Sequence, residues 1–111
     1  MKNNGHFTVL TDDNFDEEVI NSDKPVLVQY SAEWSGTRYL MESTLEEIAE
    51  KYHELVKMTK LDFEKNKCVT QKFGIWRIPR FLLFNKGEIV DIIHGAVPMV
   101  EMERRIQKVL E

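Results

Sequence analysis

Val26-Leu27-Val28-Gln29-Tyr30-Ser31-Ala32-Glu33-Trp34-Ser35-Gly36-Thr37-Arg38 is the stretch on which the fold turns. Residues 26–30 carry β-branched and apolar side chains on both faces, which predicts a central buried strand rather than an edge strand. A short Trp-x-Gly turn follows. Leu40, Met41, Leu45, Ile48, Ala49 and Tyr52 then mark one apolar face of a helix, with Glu42, Glu46, Glu47, Glu50 and Lys51 on its wet side. The pattern predicts a helix of roughly 16 residues. A strand that turns at once into a helix leaves free backbone N–H groups and the positive end of a helix dipole at one edge of the domain. Reactive or binding groups are well placed there.

Upstream, Phe7-Thr8-Val9-Leu10 predicts a short strand. Thr11-Asp12-Asp13 offers N-cap chemistry, and Phe15, Val19 and Ile20 predict a helix to about Asn21. Ser22-Asp23-Lys24-Pro25 is a turn. Downstream, Val56 to Asp62 alternates as a strand, and Asn66 to Phe73 suggests a short helix stopped by Gly74. Ile75 to Pro79 is a loop. Arg80 to Phe84 is a strand, Asn85-Lys86-Gly87 a tight hairpin turn, and Glu88 to Ile93 the returning strand. Pro98 fits a first helical position before a C-terminal helix outlined by Val100, Met102, Ile106, Val109 and Leu110. The order β-α-β-α-β-α-β-β-α predicts an α/β domain with a mixed central sheet covered on both faces. Right-handed crossovers place the first and third helices on one face and the second and last on the other.

The chain of 111 residues reads as one domain, 1–111. A net charge of −4 argues against a general nucleic-acid or anionic-membrane binder. No apolar run approaches the roughly 20 residues that span a bilayer. The first residues lack the apolar core of a signal peptide, so the expected location is cytoplasmic, although a processed chain would look the same. Cys68 is the single cysteine, and no intramolecular disulfide can form.

These segments together resemble the thioredoxin family over nearly the whole chain. The matching stretches are residues 26–34, Leu45-Glu46-Glu47-Ile48-Ala49-Glu50-Lys51-Tyr52, Lys60-Leu61-Asp62, Phe73-Gly74-Ile75, Ile78-Pro79, Phe84-Asn85-Lys86-Gly87-Glu88 and Gly95-Ala96. The resemblance implies a thioredoxin-like fold with a five-stranded sheet. It also exposes departures. The family's redox motif is Trp-Cys-Gly-Pro-Cys, and here it reads Trp34-Ser35-Gly36-Thr37-Arg38. Disulfide exchange of that type needs an attacking thiolate and a second, resolving thiol. A serine oxygen cannot form the disulfide, and Arg38 has no redox role. The family's buried aspartate is matched by Gln29, which cannot take a proton at ordinary pH. Its partner lysine is matched by Lys60.

What the family keeps at this site beyond the thiols is a cis-proline turn, matched by Ile78-Pro79. The residue before that proline offers backbone N–H and C=O groups to an extended peptide. On the residues alone, Pro79 merely shapes a loop. Arg38, Arg77 and Arg80, with Trp34 and Trp76, fall in two segments that such a fold brings together. Tryptophan and arginine are hot-spot residues, and guanidinium groups recognise carboxylates bidentately. The plain alternative is that Trp34 is ordinary for the family and Arg80 points to water. Cys68 stands near a predicted helix N-terminus, where thiolates are stabilised; its plain reading is a small turn residue. His6, His53 and His94 show no ligand spacing with one another or with Cys68, so no metal or other cofactor is expected.

The residues thus favour a redox-inactive binding module over an enzyme. The expected site is Trp34, Gly36, Thr37, Trp76, Arg77, Ile78, Pro79 and Arg80, with Ser35, Arg38 and Gln29 at the lost redox positions. The expected partner is a protein or extended peptide, acidic by the patch argument, in a chaperone, assembly or scaffold role. The alternative is a thioredoxin-type oxidoreductase with atypical thiol chemistry through Cys68.

Overall fold

The strand expected at residues 26–30 forms as β2, Val26–Ser31, and all six of its residues are buried. The computed structural model describes residues 6–31, 41–74 and 80–111. Around β2 the chain supplies β1 (Phe7–Leu10), the π-helical segment α1 (Asp16–Ile20), α2 (Glu42–Tyr52), β3 (Lys57–Asp62), α3 (Lys67–Phe73), β4 (Arg80–Asn85), β5 (Glu88–His94) and α4 (Met99–Leu110). The sheet order is β1-β3-β2-β4-β5. β3 runs parallel to β1 and β2, whereas β4 is antiparallel to β2 and to β5. This is the mixed five-stranded sheet that the element order implies.

Alternation along β2 divides the core. Val26, Val28 and Tyr30 pack with Leu10, Phe15, Val19, Leu61, Val69, Leu82 and Phe84 under α1 and α3. Leu27 packs on the opposite face with Met41, Leu45, Ile48, Phe81, Leu83, Met102 and Ile106 under α2 and α4. Each helix lies on its expected face, as right-handed crossovers require. On the α1/α3 face, Phe84 meets the rings of Phe15 and Phe73 edge-on at centroid distances of 5.8 and 5.6 Å. This is the preferred geometry for quadrupolar rings.

Two boundaries differ from the sequence reading. The first helix is only a five-residue π-helical segment. Thr11 forms its own turn, its hydroxyl accepting from the amides of Asp13 and Asn14, both at 3.2 Å. That satisfies donors locally and delays the helix. Lys57 Nζ then tethers α1 by donating to the Glu18 carbonyl at 2.9 Å and pairing with its carboxylate at 3.0 Å. Pro98 stands one place earlier than expected, as the N-cap with extended ψ of 158°, and the helix starts at Met99. The second helix, expected to span roughly 16 residues, is described from Glu42 to Tyr52, and Leu40, where its expected apolar face begins, lies outside the described residues. Lys86 and Gly87 both have positive φ (55° and 81°), as a tight hairpin with matching twist requires. A Cβ at Gly87 would stand 3.0 Å from the Ile20 carbonyl oxygen, so the turn is also closed against α1.

α4 is fastened at two places. Tyr52 of α2 donates to Glu103 at 2.8 Å and accepts from Gln107 at 2.9 Å, while Lys51 pairs with the same Glu103 carboxylate. Arg105 grips both oxygens of Asp91 on β5 at 2.9 and 3.0 Å and also reaches Glu101, which Arg104 holds through two bonds. Arg104, and then Arg105, hold the Glu101 carboxyl down to about 2. A depressed folded-state value stabilises the protein above the ordinary 4.5, and this contribution fades as pH falls toward about 2. Replacing Glu101→Gln should therefore flatten the loss of stability across that window in urea melts taken at successive pH values. An unchanged slope would mean that the two arginines do not act through this carboxyl.

Candidate peptide-docking site

β2 ends at Ser31 and β4 begins at Arg80, and the register pairs Tyr30 with Arg80. The two segments singled out in the sequence therefore depart from adjacent strand ends on one edge of the sheet. Trp34, Ser35, Gly36, Thr37, Arg38, Trp76, Arg77, Ile78 and Pro79 themselves lie outside the described residues. The described frame of the site consists of Gln29, Tyr30 and Ser31 on β2, Lys60 on β3 and Arg80 on β4.

Gln29 is buried and lies in register between Lys60 and Phe81. It shares the α2/α4 side of β2 with Leu27, two residues away, because side chains alternate along a strand. Lys60 Nζ lies 5.9 Å from the centroid of the Phe7 ring. The pair is therefore an amide beside a lysine, with no ionisable acid at the Gln29 position to move a proton.

Tyr30 and Arg80 bring an unexpected feature. Among the described residues, the buried side-chain polar atoms without a hydrogen-bond partner are the Tyr30 hydroxyl and Arg80 Nε. Such an atom costs about 1–3 kcal/mol. Both belong to one cross-strand pair at the candidate edge. Burial pushes the Tyr30 hydroxyl well above its ordinary value; the Asp12 carboxylate pushes the same way and Thr70 opposes. Sequence patterning places Tyr30 in the strand but contains no signal that its hydroxyl is left unmatched.

Cys68 is exposed in the first turn of α3. The helix N-terminus beside it is already occupied. Asp12 accepts from the amides of Cys68 at 3.3 Å and Val69 at 2.9 Å, and its own amide donates to Asn66 Oδ1 at 2.9 Å. Asp12, read from sequence as part of the N-cap chemistry of the first helix, instead caps the third. The amides at the start of α3 already serve a carboxylate. His6 and His53, unrelated by spacing, stack at a centroid distance of 4.0 Å. Among the described residues no three His, Cys, Asp or Glu side chains gather to hold a metal.

A family model described as Thioredoxin matches residues 6–108. The chain is 39% identical over 102 residues to the thioredoxin of Griffithsia pacifica, covering 92% of this chain and 94% of that protein. It is 37% identical over 99 residues to the thioredoxin of Porphyra purpurea, covering 89% and 92%. A protein named thioredoxin 1 from a Nostoc species is 36% identical over the same length, with the same coverage.

Tyr30→Phe should leave stability unchanged or raise it by about 1 kcal/mol, since it removes an unpartnered hydroxyl. Because burial penalises the charged phenolate, the parent fold loses stability as pH rises beyond the ordinary value of 10.0. Denaturant melts on both sides of that value should show the parent losing stability that the variant keeps. A clear loss in the variant at neutral pH would reveal a partner for the hydroxyl.

Proposed function

The chain belongs to the thioredoxin family, and on that premise we propose that it is a redox-inactive member that docks an extended peptide or protein segment at the former redox edge. The observation that carries this reading is its cysteine content. Cys68 is the single thiol, and Ser35 and Arg38 stand at the positions that match the family's cysteines. Two-thiol exchange needs one sulfur to attack and another to release the mixed disulfide. Gln29 extends the loss to the proton acceptor, because an amide does not titrate in the ordinary range. The scaffold argues for retained binding: the strand ends flanking the site are held in register, and Arg80 stands part-exposed at the start of β4 with no ion pair among the described residues. Arg38, Arg77 and Arg80, with Trp34 and Trp76, supply the residue types that recognise an acidic segment.

The names of its relatives favour a second reading, a thioredoxin-type oxidoreductase working through Cys68. Asp12, holding the amides at that helix start, weighs against it.

Insulin reduction separates the two. The purified chain with dithiothreitol should reduce insulin no faster than dithiothreitol alone, and Cys68→Ser should change nothing. Turnover above that control, abolished in Cys68→Ser, would establish the second reading. In a separate measurement, the double replacement Ser35→Cys with Arg38→Cys should restore partial activity, limited by Gln29. No recovery would show that the loss extends beyond the thiols.

A further inference from the structure

Most polar clusters of the described molecule close on themselves. Asp12 and Asn66 hold the start of α3, Glu103 is taken by Lys51 and Tyr52, and Asp91 and Glu101 are taken by Arg104 and Arg105. One surface beside the candidate edge does not close. The register sets Arg80 beside His94, Leu82 beside Ile92 and Phe84 beside Ile89. Leu82 and Phe84 belong to the core under α1 and α3, so His94, Ile92 and Ile89 form the outer column of that same face. Leu82 and Phe84 are covered; the column is not. Ile92 and Ile89 are 39% and 37% exposed, and Val90, the extra residue where the register shifts, is 50% exposed. Arg80 forms no ion pair with a described residue, its Nε is buried without a partner, and His94 is exposed beside it.

We infer that this strip receives an extended peptide carrying a carboxylate side chain at the Arg80–His94 end and aliphatic side chains toward Ile89. The inference rests on the docking reading above and adds which peptide docks. A part-exposed arginine with no ion pair among the described residues favours a carboxylate, and the exposed cross-strand histidine adds a second polar group beside it. Exposed β-branched side chains on either side of the register shift favour aliphatic contact. The strip continues directly from the candidate edge. The peptide lies on the face rather than extending the sheet, because the Ile92 amide is held by its neighbour Asp91 at 2.8 Å, and Arg105 grips that carboxylate. The chain's net charge of −4 favours neither a second acidic copy nor a general anion sink.

The test selects phage-displayed random short peptides on the full chain, then measures one enriched synthetic peptide by fluorescence polarisation. Enriched sequences should combine Asp or Glu with aliphatic residues at alternating positions. Ile92→Glu should weaken binding by about tenfold or more, with Ile89→Glu as a second variant and circular dichroism melts confirming that each is folded. Arg80→Glu should reverse the preference between the peptide and its Glu-to-Lys counterpart, a change that a merely structural role would not produce. Unchanged affinity and preference in these variants, with binding still weakened by Trp34→Ala, would overturn the strip and leave docking at the edge intact. A wild-type chain that enriches no peptide would overturn both. A dimer in sedimentation that Ile92→Glu dissolves would assign the strip to a second copy and overturn the peptide proposal.

Discussion

Burial of β2 on both faces is the constraint from which the rest of the architecture follows. Its six residues leave no side open to water, so each face demands a helical layer and each edge a neighbouring strand. The parallel neighbour β3 requires a crossover, which α2 supplies. The antiparallel neighbour β4 brings the chain back past the same strand end. The candidate site is a by-product of that arrangement: where β2 stops and β4 starts, two segments leave from neighbouring positions. The strand ends are held by core packing through residues such as Leu27, Phe81 and Leu83, so their placement does not depend on which side chains stand at positions 35 and 38.

The β2–β4 pair also carries what is particular to this chain. Gln29 faces the α2/α4 side as a neutral amide beside Lys60, whereas Tyr30 and Arg80 bring unmatched donors into the other half of the same strand ends. A catalytic site would gain from an acid at the first position. A neutral amide cannot fill that role.

The fold was legible because its signals are periodic. The two-sided apolar run at 26–30, the helical face from Leu45 to Tyr52 and the Asn85-Lys86-Gly87 turn each report local geometry directly, and each element appears where expected. The first helix was misread in extent because the Thr11 turn competes for the same amides, and propensity does not weigh that competition. Of the candidate site, the single cysteine and the letters at positions 35 and 38 were legible in the sequence alone. The Tyr30–Arg80 pairing and the exposed column on β5 were not, since they depend on strand register and on which part of a sheet face the helices leave bare. Asp12 shows the limit most plainly: its local context fits a helix start, but the helix it serves begins far along the chain.

That cap has a dynamic consequence. α3 has only seven residues, and its first amides are held by a carboxylate from the loop that follows β1, while β1 is tied to the sheet through β3 alone. The helix cannot keep its first turn if β1 peels away, and β1 loses its anchor if the helix start frays. The N-terminal strand and the third helix are thereby joined into one unit of local opening. Hydrogen exchange at Val69 should report the detachment of a strand at the far side of the sheet, rather than the fraying of its own short helix.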